Sequence, residues 1–188
     1  MAWTLPHSWA TGQTISGSTA VADSSVSLNY QLRDNLLSAR NLWDNAIHLS
    51  LTSNPSVPSS TPTSVVWRRV DWQVGNSTIW ASASGARLQV PVAGRWEGLG
   101  VLEWTQNVSG GRSVQISVNG TTSYRCGAQA APINSGDGVR QPFGDILELT
   151  TADHVQVLAF QNTGGALELH GGKRDRTRFC WRFLGAAS

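Results

Sequence analysis

The pattern of apolar residues from Val66 onward constrains the fold of this chain most strongly. Apolar and polar residues alternate there in short segments, such as Val66-Trp67-Arg68-Arg69-Val70 and Leu147-Glu148-Leu149. Because successive side chains of a strand point to opposite faces of a sheet, this period of two predicts strands with one buried face. Turn residues separate the segments, and the stretches between them show no helical pattern. The sequence therefore predicts a mainly β protein, an antiparallel sandwich or jelly roll.

Turn and loop residues divide this region further. Asn119-Gly120 follows a predicted strand and favours a type I′ hairpin turn, since both residues tolerate positive φ. Residues 125–143 contain three glycines and two prolines, so they predict a long surface loop. One predicted strand has a single face that would carry Trp96, Gly98, Gly100, Leu102 and Trp104.

The N-terminal part has a helical period instead. Residues 28–47 predict one amphipathic helix of about five turns, and residues 52–64, with three prolines among Ser, Thr and Asn, predict a linker. The expected organisation is an arm and helix at 1–51, a linker at 52–64 and a β head at 65–188. The apolar stripe of the helix consists of Leu28, Leu32, Leu36, Ala39, Trp43 and Ile47.

Charge and hydropathy exclude several classes of partner. The formal net charge is only +2, so no basic field attracts nucleic acid. The longest apolar stretches fall short of the roughly 18 residues that span a bilayer, which argues against membrane insertion. The first residues lack the basic flank and apolar run of a signal peptide, which predicts synthesis in the cytoplasm.

The sequence offers no catalytic or metal-binding pattern. Cys126 and Cys180 are too few for a disulfide framework or a zinc site, so we expect free thiols and no metal. The four histidines are scattered, and no nucleophile elbow, Walker loop or dinucleotide fingerprint occurs. We therefore expect no cofactor and no enzymatic activity.

The N-terminal segment contains two sequence elements of interest. They are Trp9-Ala10-Thr11-Gly12-Gln13-Thr14-Ile15 and Leu28-Asn29-Tyr30-Gln31-Leu32-Arg33-Asp34-Asn35-Leu36. Together they resemble the opening of many phage tail and other virion surface proteins, although the spacer between them is longer here. The resemblance implies an attachment or trimerisation element, with Trp9 and Ile15 in the docking arm. Its helix residues would be Leu28, Asn29, Leu32, Arg33, Asp34, Asn35, Leu36 and Trp43.

The predicted head carries a second resemblance, to the C1q/TNF-like jelly roll. Its segments include Leu88-Gln89-Val90-Pro91-Val92-Ala93-Gly94-Arg95-Trp96, Asn119-Gly120-Thr121, the stretch from Leu147 to Val157 and the closing Thr177-Arg178-Phe179-Cys180-Trp181-Arg182-Phe183-Leu184-Gly185. Trp96 stands where the family usually has Tyr, and Ala152-Asp153 where it usually has Gly-Asp. The resemblance implies a compact homotrimer whose inner sheets pack about a threefold axis.

One strand is apolar on both faces. In the segment Val155-Gln156-Val157-Leu158-Ala159-Phe160, the valines point to one face and Leu158 and Phe160 to the other. A sandwich strand buries only one face within its own chain, so the second face predicts a trimer interface. The alternative is that the predicted loop 125–143 covers Leu158 and Phe160 within one chain.

The densest charge run is Lys173-Arg174-Asp175-Arg176-Thr177-Arg178. As a functional feature, Lys173, Arg174 and Arg176 would form a loop that binds an acidic polymer or a neighbouring subunit. The alternative, which we favour, is a solvated turn before the last strand.

These observations together predict a virion component made in the host bacterial cytoplasm, tail-associated or fibre-like, that contacts other virion proteins. Binding of a host surface glycan is a further hypothesis. The alternative is a capsid decoration protein bound to the major capsid protein at threefold sites. A third hypothesis is a glycan-degrading enzyme, which needs two carboxylates at a defined separation. Glu97 and Glu103 are the only candidates for such a pair in the predicted sheet.

Overall fold

A computed structural model describes most of the predicted head. It describes residues 36, 45–75, 78–81, 83, 85–120, 122–125, 130 and 138–187, with the backbone only at 122–125. All of these residues belong to one compact unit, Leu36–Ser188. The predicted docking residues Trp9, Ile15, Leu28, Asn29, Leu32, Arg33, Asp34, Asn35 and Trp43 lie outside the described residues.

The described residues form twelve strands, and every strand pairing is antiparallel. The strands are β1 (Asn45–Ser50), β2 (Ser56–Val57), β3 (Thr63–Ser64), β4 (Arg69–Gly75), β5 (Leu88–Gln89), β6 (Gly94–Trp104), β7 (Arg112–Val118), β8 (Thr122–Arg125), β9 (Val139–Leu149), β10 (His154–Gln161), β11 (Leu167–Glu168) and β12 (Arg178–Gly185).

The strands are arranged in two main sheets. The first sheet has five strands in the order β4-β1-β12-β6-β9. The second sheet has the order β3-β10-β7-β8, with β5 also paired to β10, and β2 and β11 form a separate pair. Strands distant in sequence are neighbours in both sheets, as in a jelly roll. The predicted antiparallel jelly-roll sandwich is confirmed.

Aromatic side chains fill the core between the sheets. Trp96 and Trp181, both fully buried, stack with ring centroids 5.5 Å apart, and Trp67 stacks on Phe179 at 5.8 Å. Gly98 makes room for these rings, because a Cβ there would lie 2.9 Å from the Phe179 ring. The face of β6 that the sequence predicts to be buried is therefore the core face of the first sheet.

The first strand begins within the predicted helix. Asn45–Ser50 is strand β1, in which Ile47 pairs with Trp181 of β12 and is fully buried. The prediction that the helix extends to Ile47 is wrong. The four-residue step from Trp43 to Ile47 is compatible with a helix, but residues 45–50 also alternate, and in the structure they form a strand. Of the residues 28–44, only Leu36 is described; it has helical backbone and is 69% exposed.

The predicted linker at 52–64 is part of the sandwich. Strand β2 pairs with β11 and strand β3 pairs with β10. Val57 is buried, and its carbonyl accepts a hydrogen bond from Gln161 Nε2 at 2.9 Å. The prolines beside these strands keep each of them two residues long, but the segment still pairs with strands of the sandwich. The sandwich therefore includes residues 45–64, which the sequence assigned to the end of the helix and to the linker.

Two turn predictions had different outcomes. Asn119 and Gly120 have φ of 56° and 71°, so the predicted turn with two positive φ values is confirmed. Residues 139–143 of the predicted surface loop belong instead to β9. Pro142 is compatible with this strand because β9 is at the edge of the first sheet, where one side of its backbone pairs with no other described strand.

Candidate interaction surface

The outer face of the first sheet exposes four large apolar side chains. Trp72 and Val74 on β4 are 46% and 43% exposed, and Leu99 on β6 and Ile146 on β9 are 48% and 55% exposed. Leu99 and Ile146 alternate with buried residues of β6 and β9, and the register aligns Trp72 and Val74 with the outward-pointing residues of β1, so all four lie on the side of the sheet away from the core. We call these four residues the apolar face. Exposed apolar groups collected on one sheet face indicate an interaction site.

The strand register places these residues in two adjacent rows. In one row, Trp72 pairs with His48, His48 with Cys180, Cys180 with Leu99, and Leu99 with Gly144. This row crosses all five strands of the sheet. In the next row, the same pairings connect Val74, Ala46, Arg182, Glu97 and Ile146 in that order.

Trp72 is held in place by its neighbours. Its indole stacks on the imidazole of His48, with ring centroids 5.9 Å apart and an interplanar angle of 15°. Nδ1 of His48 donates a hydrogen bond to Oδ2 of Asp71 at 3.0 Å. This bond fixes the imidazole plane, and the imidazole supports one side of the indole. Trp72 is thus exposed but positioned.

Asp71 binds several groups at this edge of the sheet. Its carboxylate is also 2.9 Å from Arg69 Nε and 3.2 Å from Arg174 Nε. Burial raises the pKa of Asp71, but hydrogen bonds with Ser50 and His48 and the charge of Arg69 outweigh burial, so the pKa lies below its ordinary value. Asp71 is therefore ionised at neutral pH.

The acidic side chains of β6 also form ion pairs. Glu97 pairs with Arg182 of β12. Glu103, whose side chain is only 5% exposed, pairs with Arg140 at 2.9 Å and with Arg176 at 3.6 Å. Both carboxylates of β6 therefore have an arginine partner within the chain. If a partner covered the outer face of the first sheet, these two groups would remain paired.

These ion pairs define the role of the predicted ligand loop. Arg174 binds Asp71 and Arg176 binds Glu103, and Arg176 Nη1 also donates a hydrogen bond to His170 Nδ1 at 2.6 Å. Both arginines thus tie the loop before β12 to the first sheet. Lys173 is exposed, with no ion pair to a described residue. The geometry favours the structural interpretation of this charge run.

Cys180 lies at the centre of the outer face. It is a free, half-buried thiol between His48 and Leu99 in the register. Burial raises the pKa of the Cys180 thiol above its ordinary value, so it is protonated at neutral pH. Cys126 lies outside the described residues.

The predicted interface residues Leu158 and Phe160 lie elsewhere. Both are half-buried on the outer side of β10 in the second sheet, where Leu158 pairs with Ser64 of β3 and Gln115 of β7. They do not belong to the apolar face. The sequence signal for that face was weaker, because Leu99 and Ile146 have charged neighbours on their side of each strand, Glu97 beside Leu99 and Glu148 beside Ile146.

Glu97 and Glu103 do not form a glycosidase pair. Both point to the outer face of β6 and are six residues apart, which corresponds to about 20 Å along a strand. Glycosidase carboxylates are separated by roughly 5–9.5 Å. Each glutamate is also paired with arginine. The carboxylates that the sequence suggested for glycan cleavage lack the separation that the reaction needs.

The part of the chain that the structure describes holds no group of three His, Cys, Asp or Glu side chains placed to bind a metal ion. Within the same residues, no helix has the length and apolar character needed to cross a membrane.

Comparison with known proteins identifies similar folds. No family model matches the sequence, and no curated protein matches it. Among solved structures, murine APRIL at pH 8.5 is similar with a TM-score of 0.55 and 14% identity over 74% of this chain and 98% of that chain. The globular domain of zebrafish complement 1qA protein has a TM-score of 0.51 and 11% identity over 76% of this chain and 99% of that chain.

A third similar structure is Eiger TNF from S. frugiperda, with a TM-score of 0.51 and 12% identity over 77% of this chain and 94% of that chain. Identities this low indicate a shared fold and nothing more specific. The strand order of both sheets and these three structures lead to the same conclusion: the region from Asn45 to Ala187 has a TNF/C1q-like jelly-roll fold.

Proposed function

We propose that this protein is a non-enzymatic structural component that works as a homotrimer, and that its three copies pack through the outer face of the first sheet. The apolar face is the observation that carries this proposal. Burying the exposed part of each of its four side chains contributes about 2 kcal/mol per residue, at roughly 25 cal/mol per Å² of apolar area.

The arrangement of charges supports the same proposal. Glu97, Glu103 and Asp71 already have arginine partners within their own chain. Association would therefore not place an unpaired carboxylate of this group in a dry interface, which is the usual electrostatic cost of covering such a face. The trimer that the C1q/TNF resemblance implies packs its inner sheets about a threefold axis, and we assign the first sheet to that inner position.

For the biological setting, we propose a bacteriophage particle, in which the N-terminal segment docks the trimer and the head faces outward. The resemblance of Arg33-Asp34-Asn35-Leu36 and its surroundings to virion surface proteins supports this setting. Tail and capsid locations predict different copy numbers. Quantitative mass spectrometry of purified particles separates them, since a decoration protein is present in hundreds of copies and a tail protein in a handful.

Assembly is tested by comparing two variants. Leu99→Asp places a charge in the apolar face, and we expect it to convert the trimer to a folded monomer of about 20.2 kDa by native mass spectrometry. Val108→Asp is the matched control, because Val108 is 64% exposed in a loop away from the face, and this variant should remain trimeric. A Leu99→Asp variant that stays trimeric would show that copies associate through another surface.

A further inference from the structure

His170 and Arg176 are joined by a hydrogen bond in the connection between β11 and β12. Nη1 of Arg176 lies 2.6 Å from Nδ1 of His170. A guanidinium has N–H donors and no acceptor, so Nδ1 must be the acceptor of this bond. His170 is therefore neutral when the bond forms, with its proton on Nε2. In neutral His48 the proton is instead on Nδ1, which donates to Asp71.

The backbone fixes both ends of this connection. The amide of His170 donates to the carbonyl of Glu103 at 2.6 Å, and the amide of Thr177 donates to the carbonyl of His170 at 3.3 Å. Between these points lie residues 173–176, which we call the β11–β12 loop. Arg176 is half-buried and the other three residues of the loop are exposed. The bond from Arg176 to His170 therefore ties an otherwise exposed loop to a fixed point.

The charged groups around this bond come from three elements. The same Nη1 atom of Arg176 that binds His170 also lies 3.6 Å from Oε1 of Glu103 on β6. Oε2 of Glu103 binds Nε of Arg140 on β9, at 2.9 Å. One carboxylate is thus shared by two arginines, and one of these arginines also binds the imidazole.

Two further segments lie beside His170. The backbone of Gly138 is close to the imidazole, since a Cβ there would lie 3.4 Å from Nε2. The residue before it, Asp137, lies outside the described residues. On the other side, residues 51–55 bind the backbone at 169–172 and contain no titratable side chain. Among the described residues, the charged groups near His170 are therefore Glu103 and its two arginines.

Protonation of His170 reverses the role of Nδ1. The imidazolium has two N–H donors and a positive charge, so it repels Arg176 and accepts no bond from it. It also competes with Arg176 for the carboxylate of Glu103. The tied state carries no proton on Nδ1 and the released state can take one, so a lower pH favours release. Imidazole is the unperturbed side chain that gains its proton between about pH 8 and pH 5.

We propose that His170 and Arg176 form a pH-sensitive latch on the β11–β12 loop, closed near neutral pH and open in mildly acidic solution. Opening separates Arg176 from His170 and leaves the sandwich intact, because both residues lie outside the paired strands. The latch goes beyond the proposed function and does not depend on the number of copies in the assembly. It gives a structural protein one loop that responds to acid.

Hydrogen–deuterium exchange of the full-length protein tests the latch. Mass spectrometry follows the amides of the β11–β12 loop in the parent chain and in His170→Asn, at about pH 7.5 and about pH 5.5. The Asn oxygen replaces Nδ1 as the acceptor and does not titrate in this range. We expect similar rates at the higher pH. At the lower pH, exchange in the parent should be about tenfold faster than in His170→Asn, because the parent loses one hydrogen bond to a charged group.

Comparing two proteins at the same pH cancels the direct effect of pH on amide exchange. Arg176→Met removes the donor, so its loop should exchange rapidly at both pH values. His154→Asn changes a histidine of the second sheet, and Asp137→Asn changes the acidic residue before Gly138. Both controls should respond to pH as the parent does. Loss of the response in Asp137→Asn would overturn the proposal, because the sensor would then be that carboxylate.

NMR of the parent chain provides a readout that needs no substitution. At neutral pH, the nitrogen chemical shifts of His170 should show Nδ1 without a proton and Nε2 with one. A proton on Nδ1 would contradict the latch, as would an equal pH response of loop exchange in the parent and in His170→Asn. A response that disappears in His48→Asn but persists in His170→Asn would place the sensor at Asp71 and also overturn the proposal.

Discussion

His48 and Trp72 form a stacked pair on the outer face of the first sheet, with ring centroids 5.9 Å apart and an interplanar angle of 15°. They are direct neighbours in the register of β1 and β4, and Asp71 holds the imidazole through a hydrogen bond of 3.0 Å. An exposed tryptophan with a fixed orientation loses less conformational entropy on association than a free one. The pair therefore prepares this part of the apolar face for contact.

His48→Ala should weaken assembly without unfolding the head. The substitution removes the stacking partner of Trp72, whose indole must then be ordered on association at a cost of about 0.5–1.5 kcal/mol per copy, so we expect the trimer to dissociate at a severalfold higher concentration. Sedimentation velocity over a dilution series measures this change. Gln115→Ala, on the outer side of the second sheet, is the control and should leave dissociation unaltered; an equal effect of both would exclude a specific role for the stack.

Glu103→Gln should loosen the loop before β12. The buried carboxylate binds Arg140 and Arg176, and its loss leaves two guanidinium groups without their acidic partner. Because both arginines are partly exposed, we expect a destabilisation of only about 1–2 kcal/mol. Cleavage by trypsin at Lys173 and Arg174 should become faster.

The control for this prediction is Glu168→Gln, which changes an exposed glutamate that forms no ion pair with a described residue. Its cleavage rate should equal that of the parent chain. Unchanged trypsin sensitivity of Glu103→Gln would mean that the ion pairs do not hold the loop.

Asp153 should make the stability of the head depend on pH in the acidic range. The backbone N–H of Thr150 and the side chain of Asn119 donate hydrogen bonds to its carboxylate at 2.7 Å each, and they hold the pKa of Asp153 below its ordinary value. The folded state therefore binds this proton less readily than the unfolded chain. The stabilisation is present above the unfolded pKa of about 3.9 and is lost as pH falls through the lower folded value.

Thermal unfolding measured between pH 7 and pH 2.5 tests this prediction. Asp153→Ala should lower the Tm by a few degrees at pH 7, where about 1 kcal/mol of hydrogen bonding is lost, and by less at pH 2.5. Asp175→Ala is the control, since among the described residues Asp175 accepts a hydrogen bond through its backbone carbonyl, from Arg178, and not through its carboxylate. A difference between Asp153→Ala and the parent chain that is the same at both pH values would exclude the carboxylate as its source.

The alternation of apolar and polar residues predicted the fold, because the core strands follow this pattern closely. The face of β6 that contains Trp96, Gly98 and Gly100 could be predicted, since large and small residues repeat every second position there. The structure adds the reason for the glycines: a Cβ at Gly100 would lie 2.4 Å from the ring of Phe143. Two-residue strands such as β2 and β3 could not be predicted, because their pairing depends on contacts with distant strands.

The apolar face was missed for a related reason. Leu99 shares its side of β6 with Arg95 and Glu97, so the sequence there indicates an ordinary solvent-facing row. Only the register, which brings Leu99 close to Ile146 and aligns it with Trp72, shows that isolated apolar residues of three strands share one face. The two-faced pattern of β10 was easier to see in sequence, but Leu158 and Phe160 are half-buried in the single chain.

The mass of the parent chain in solution tests the central claim most directly. Sedimentation equilibrium of the full-length protein at neutral pH, at several micromolar concentrations, gives this mass without labels or substitutions. A trimer joined through the first sheet predicts about 61 kDa, three times the chain mass of 20.2 kDa. A single species of about 20 kDa across the whole concentration range would contradict the claim.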